Sequence, residues 1–228
     1  TCYVVRCVDT ELESSLDVLS DMILHSTFPE EELEKEKKVV LEEMKMYKDS
    51  PDDVIFEEFS SMMIPEHPLG RPIIGFEPTV SGFTQDHLRA YTSERYQPHN
   101  ILVSIAGNVD HQNAEHLIER YFSSAKSHSD ASRELQKPNV DPTASKSLTK
   151  VIEQTHMILG RRGLAFNDED RIKLLMVNTL LSGGMSARLH QNIREKHGYC
   201  YSISAFAQSY IDTGVFGVYI GTDASYVD

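Results

Sequence analysis

Cysteine is scarce in this sequence: Cys2, Cys7 and Cys200 are the only three in 228 residues, and no two of them form a C-x-x-C pair. An odd, unpaired count excludes a disulfide framework and a zinc ribbon and favours a reducing compartment, so a cytoplasmic location is expected. No Asn-x-Ser/Thr sequon occurs. No apolar run is long enough to span a bilayer, and no basic stretch followed by an apolar one marks a targeting segment. Basic residues are outnumbered, 22 Lys and Arg against 35 Asp and Glu, for a formal net charge of -13. So acidic a surface repels phosphates, which argues against nucleic acid or an anionic membrane and leaves neutral or basic peptides as partners.

Familiar catalytic signatures are missing too. There is no G-x-S-x-G and no phosphate-binding glycine loop, so a serine hydrolase or nucleotide enzyme has no support. Neither H-E-x-x-H nor H-x-x-E-H occurs. The stretch "HQNAEH" looks metal-like, but His111 and His116 are five residues apart and fall on nearly opposite sides of a helix, so both read as surface residues. His67 and His99 lie in Pro-flanked loops with no carboxylate or thiol at ligand spacing, and receive no role.

What is present is ordinary globular usage, 40% hydrophobic and 25% charged, enough for one large domain or two smaller ones. Residues 1 to 8 read as a strand, and Leu12, Leu16, Leu19 and Ile23 then form a helical stripe. Ser26, Thr27 and Pro29 offer capping and first-turn chemistry for a long charged helix that "KDSPDD" ends. Residues 53 to 64 look helical, "PEHPLGRP" is a loop, "FTQDHLRAYTSERY" a short helix, and "HNILVSIAGNVD" a buried strand ending at Gly107. "HQNAEHLIERYF" is another amphipathic helix. From 123 to 147 the composition turns to Ser, Lys, Asp and Pro, the profile of an exposed linker between domains 1–122 and 148–228. Two strands are expected around "SLTKVIEQTHMILGRRGL", then helices "DRIKLLMVNTLL" and "ARLHQNIREK", then two more strands up to Thr222. The alternation predicts an α+β fold. Thr1, Val8, Thr10 and Glu11 are echoed by Thr213, Ile220, Thr222 and Asp223 at one constant offset, which suggests a duplicated domain.

Two constellations carry chemistry. In "EKEKKVVLEEMKMY", Leu33, Val40 and Tyr47 share a helical stripe, and so do Glu36 and Glu43. The stretch reads either as a solvated face held by i to i+4 pairs such as Glu31 with Lys35 and Glu34 with Lys38, or as a buried seam. In a buried seam each glutamate must meet a cation, a metal or a proton. In "SGGMSARLHQNIREKHGYCYSI", Arg194 lies near a helix end, Gly198 can terminate that helix, and Tyr201 opens the next strand. A cation and a phenol could converge there, or Arg194 could cap carbonyls while Tyr201 packs in a sheet.

Together these blocks, with "CYVVRCVDTELESSLDVLSDMI", "HPLGRPIIG" and "NILVSIAGNVD" in collinear order, resemble the pitrilysin/insulinase superfamily of zinc peptidases. The likeness covers nearly all of the chain and is nearest to the bacterial processing-peptidase branch, which looks like the mitochondrial processing peptidase β subunit. It implies tandem α+β domains, each a mostly antiparallel sheet backed by helices, with this chain a fragment spanning the later part of one and the earlier part of the next. It also implies a zinc metalloendopeptidase acting on short or unfolded peptides. By the resemblance Glu43 corresponds to the third zinc ligand and Glu36 to the carboxylate that supports the metal site. Glu57 matches more loosely a further acidic supporting position. Arg194 and Tyr201 correspond to the pair that holds the substrate carbonyl and stabilises the tetrahedral oxyanion. The family's other ligands come from an inverted H-x-x-E-H helix that this sequence does not contain, so the fragment itself is expected to be inactive. A homodimer or a related subunit is the expected partner. The alternative is a noncatalytic scaffold or substrate-presenting subunit. The long glycine-rich loop of the noncatalytic processing-peptidase partner is absent around "LSGGMSARL", which favours the active type.

Overall fold

The computed structural model describes residues 1–125, 138 and 144–227. They fall into two compact units, Thr1–Val39 with Pro78–Ser132 and Val40–Glu77 with Arg133–Asp228. The linker expected over 123–147 lies largely outside the described residues.

In the first unit, α1 (Leu12–Leu24) packs against α6 (His111–Phe122), burying Leu16 against a stripe that includes Ala114 and Leu117. Asp110 caps α6 by accepting from the Asn113 amide, and the exposed pair Glu13 and Arg120 closes the rim at 2.7 Å. His111 and His116 are both exposed, on nearly opposite sides of the helix. Between them in the chain come α2 (Glu30–Asp49), α3 (Pro51–Met63), α4 (Glu77–Ser81) and α5 (Gln85–Arg95). The hydroxyl of Ser26 does not cap α2. It donates back to the Met22 carbonyl at the end of α1, and Gln85 instead holds the turn by donating to the carbonyls of Thr27 and Phe28.

Two expected strands of this unit do not form. Residues 1–8 and 101–106 enter no ladder among the described residues, and Val4 and Leu102 are 80% and 92% exposed. Their apolar alternation states a demand for burial, but a strand also needs a neighbour to accept its backbone hydrogen bonds.

The second unit is built on an antiparallel three-stranded sheet in the order β1 (Thr155–Arg162), β3 (Gly214–Thr222), β2 (Cys200–Ser209). The expected strand before β1 is absent, since residues 147–151 join no ladder. α7 (Arg171–Ser182) packs on β2, and α3 packs on the sheet. α3 starts two residues before the expected 53: Ser50 caps the helix and Pro51 occupies its first turn. Phe59, Met63 and the adjoining Ile64 form the core with Val215, flanked by Ile158 and Phe206. Burying each such side chain stabilises by about 1.5–3 kcal/mol. Gly160 makes this approach possible, because a Cβ there would stand 2.5 Å from the Phe59 ring. The α+β class with an antiparallel sheet backed by helices is therefore the observed one.

Candidate active site

Several charges of α2 are paired along the helix. Lys35 bridges Glu31 and Glu32, Lys37 pairs with Glu34 rather than leaving it to Lys38, and Lys45 pairs with Glu42. Glu36 and Glu43, two turns apart on one face, enter no ion pair among the described residues, and both are exposed. The stripe that was expected to bury beside them is only half realised: Leu33 and Val40 are half-buried, while Tyr47 is 48% exposed. The buried residue of α2 is Met44, which lies with Val40 and the largely covered Lys37 on an adjacent stripe. Desolvation therefore does not force a partner on either glutamate, and both carboxylates stand free to accept a cation.

Glu57, on α3, has its pKa raised, first by the protein crowding its carboxyl group although the residue is largely open to solvent. The neighbouring Glu58 charge and that of Asp53 add to the effect, with Lys48 opposing it.

Arg194 and Tyr201 are brought together. The helix expected over "ARLHQNIREK" becomes a π-helical turn, His190–Glu195, which closes on Lys196 donating to the Gln191 carbonyl. Gly198 at φ +67° then reverses the chain, a conformation that favours glycine, with its amide on the Arg194 carbonyl. Tyr201 is the extra residue of a β-bulge, since Cys200 opposes Thr222 and Ser202 opposes Gly221. Released from the ladder, its side chain is 75% exposed, and the Arg194 guanidinium lies over its ring, 5.1 Å from the centroid. Neither the capping role nor the sheet-packing role is taken. Cys200, beside them, is buried, and burial pushes its thiol up against the opposing pull of Arg194.

A cluster the sequence does not advertise joins α3 to the sheet. Tyr219 on β3 donates to Asp52 Oδ1 at 2.7 Å, and His156 Nδ1 on β1 lies 2.8 Å from the same oxygen and 2.9 Å from the Tyr219 hydroxyl. Burial, then the hydrogen bond to Asp52, push the Tyr219 pKa far up, so it remains a donor. These residues are scattered through the chain, and no spacing rule could have joined them.

Zinc can be tested against this donor set. Glu43 has the chemistry and the unpaired state of a carboxylate ligand, yet no group of three His, Cys, Asp or Glu among the described residues could hold a metal. The residues present fit one donor's share of a zinc site and not a whole one.

Residues 1–77 match the family described as insulinase (peptidase family M16), and residues 82–228 match the peptidase M16 inactive domain. An uncharacterized zinc protease of Bacillus subtilis, YmxG, is 40% identical over 99% of the chain and 54% of its own length. An uncharacterized zinc protease of Streptomyces coelicolor is 36% identical over the whole chain and 51% of its own. The peptidase M16 inactive domain from Pseudomonas fluorescens superposes with a TM-score of 0.88 at 21% identity, covering 95% of this chain and 53% of that one. A protease from Helicobacter pylori gives 0.85 at 23% identity, with 94% and 53% covered. The chain spans about half the length of these relatives, and with both family matches laid end to end along it, it belongs to the M16, or insulinase, family of peptidases.

Proposed function

We propose that the whole protein is a zinc metalloendopeptidase of short or unfolded peptides, to which this chain contributes one metal ligand and the substrate-holding pair. The observation that carries the reading is the Arg194 guanidinium set over the exposed ring of Tyr201, the extra residue of a β-bulge. A fixed cation and a phenolic donor suit a peptide carbonyl that becomes an oxyanion. Glu43 would bind the metal and Glu36 would support the site, with Glu57 a further acidic neighbour. The remaining ligands and the general base would come from an H-x-x-E-H helix outside these 228 residues. Zinc held in such a site supplies an activated water and polarises the scissile carbonyl. The division into tandem domains, 1–122 and 148–228, belongs to the same reading, as do a homodimeric or related-subunit assembly and a cytoplasmic location.

A noncatalytic scaffold is the second reading, favoured by the description of the domain that residues 82–228 match and by the incomplete donor set. The full-length protein decides between them. The peptidase reading expects one zinc per catalytic unit and cleavage of an unstructured peptide that chelation abolishes. A pure full-length protein that neither binds zinc nor cleaves peptides would establish the scaffold.

A further inference from the structure

We infer that Asp52, His156 and Tyr219 form a latch that seats the junction of α2 and α3 on the sheet and thereby positions Glu43 for catalysis. The latch itself stands on geometry alone, and its role in positioning Glu43 rests on the peptidase reading.

Three hydrogen-bonding groups from distant parts of the chain converge on the first turn of α3. Tyr219 and His156 both reach Asp52 Oδ1, from β3 and β1, and the two rings lie 6.0 Å apart, next to Gly221, where a Cβ would stand 3.1 Å from the Tyr219 hydroxyl. The Tyr219 ring also lies tilted against Phe56, one turn further along α3, with the ring centres 5.4 Å apart. Asp52 follows Ser50, which ends α2 by donating its amide to the Met46 and Tyr47 carbonyls and caps α3 with its hydroxyl. The junction therefore has no slack: a shift of Asp52 moves the last turns of α2. Glu43 sits six residues before the end of α2, about 9 Å along a stiff helix. Lys150, donating to the Lys48 carbonyl, and Lys146, paired with Glu58, brace the same two helices. Because Tyr201 belongs to β2 of this sheet and Arg194 to the turn that precedes it, the latch sets the α2 end in the frame that carries the proposed substrate pair. The three are positioning residues.

The side chain of Asp52 is 64% exposed, so truncating it removes little buried packing and leaves chiefly the loss of the latch. In the full-length, zinc-loaded protein, Asp52→Ala and Tyr219→Phe are expected to lower kcat on an unstructured peptide about 10-fold or more while KM stays within about twofold, as displacement of a reacting group does. Asp52→Asn, which keeps the accepting oxygen, restores most of the rate. Amide hydrogen exchange of residues 40–52 speeds up in the first two variants and not elsewhere. Unchanged exchange there overturns the latch, whatever the activity. Faster exchange with kcat within twofold overturns its positioning role, and so does an Asp52→Asn protein no better than Asp52→Ala. If the wild-type protein cleaves nothing, the peptidase reading has failed, and exchange alone decides whether the latch exists.

Discussion

The Arg194 guanidinium lies 5.1 Å from the centre of the Tyr201 ring, and the two residues come from a π-helical turn and a β-bulge, both local irregularities. Each irregularity costs regular hydrogen bonding, and together they free a cation and a phenol to face one another. Replacing Tyr201 by Phe keeps the ring under the guanidinium and removes only the hydroxyl. In the full-length protein we expect kcat to fall by about 10²–10³-fold, the effect of losing one oxyanion donor, with KM little changed. Steady-state kinetics on a short peptide checks this, and a turnover equal to wild type would remove the hydroxyl from the mechanism.

Glu36 and Glu43 of α2 give a graded expectation. Glu43→Gln, which deletes the charge of the proposed ligand, should leave the full-length protein without bound zinc at micromolar metal. Glu36→Gln should weaken zinc binding by about 10–100-fold, the usual effect of losing a residue that supports a ligand. Both carboxylates are exposed, so neither variant should shift the melting temperature of the metal-free protein. Metal analysis after dialysis, with calorimetry of the apo forms, tests both halves; zinc retained at wild-type affinity by Glu43→Gln would rule it out as a ligand.

Gly160 of β1 lies directly under Phe59 of α3. Gly160→Ala would put its methyl 2.5 Å from Phe59 and 2.8 Å from the Phe216 carbonyl, and a backbone oxygen cannot step aside cheaply. Destabilisation of about 1–3 kcal/mol is expected from such overpacking. Phe59→Ala, which empties the same contact, should cost about 3–5 kcal/mol. Urea melts report both, and an unchanged midpoint for the alanine at 160 would show the packing to be looser than described.

Glu57 fixes the sign of a pH effect. Its folded-state pKa lies above the ordinary value of 4.5, so between the two the folded state binds the proton more tightly than the unfolded chain. Stability carried by this group is fully present below pH 4.5 and is lost as the pH rises through the raised value. Glu57→Gln should therefore stabilise at pH 7, by about 0.2–0.5 kcal/mol, the scale of relieving one like-charge i, i+4 contact such as that with Asp53. The gain should vanish in acid and shrink in high salt. Melting curves at pH 4 and pH 7 would expose a reversed sign.

The amino-acid sequence by itself determined whatever depends on neighbours in the chain: the helical stripes of α1 and α6, the end of α2 at "KDSPDD", the β2 and β3 strands, and the reversal at Gly198 that lets Arg194 meet Tyr201. Tertiary structure decided what depends on a partner far along the chain. It chose Met44 rather than Tyr47 as the buried residue of α2, because burial goes to the stripe that finds an opposing surface. It left residues 1–8 and 101–106 without a ladder, because an extended segment cannot supply its own hydrogen-bond partners. It also gathered Asp52, His156 and Tyr219, more than a hundred residues apart at the extremes, around one carboxylate oxygen. Periodicity records which side chains shun water, whereas only the folded chain settles what they meet.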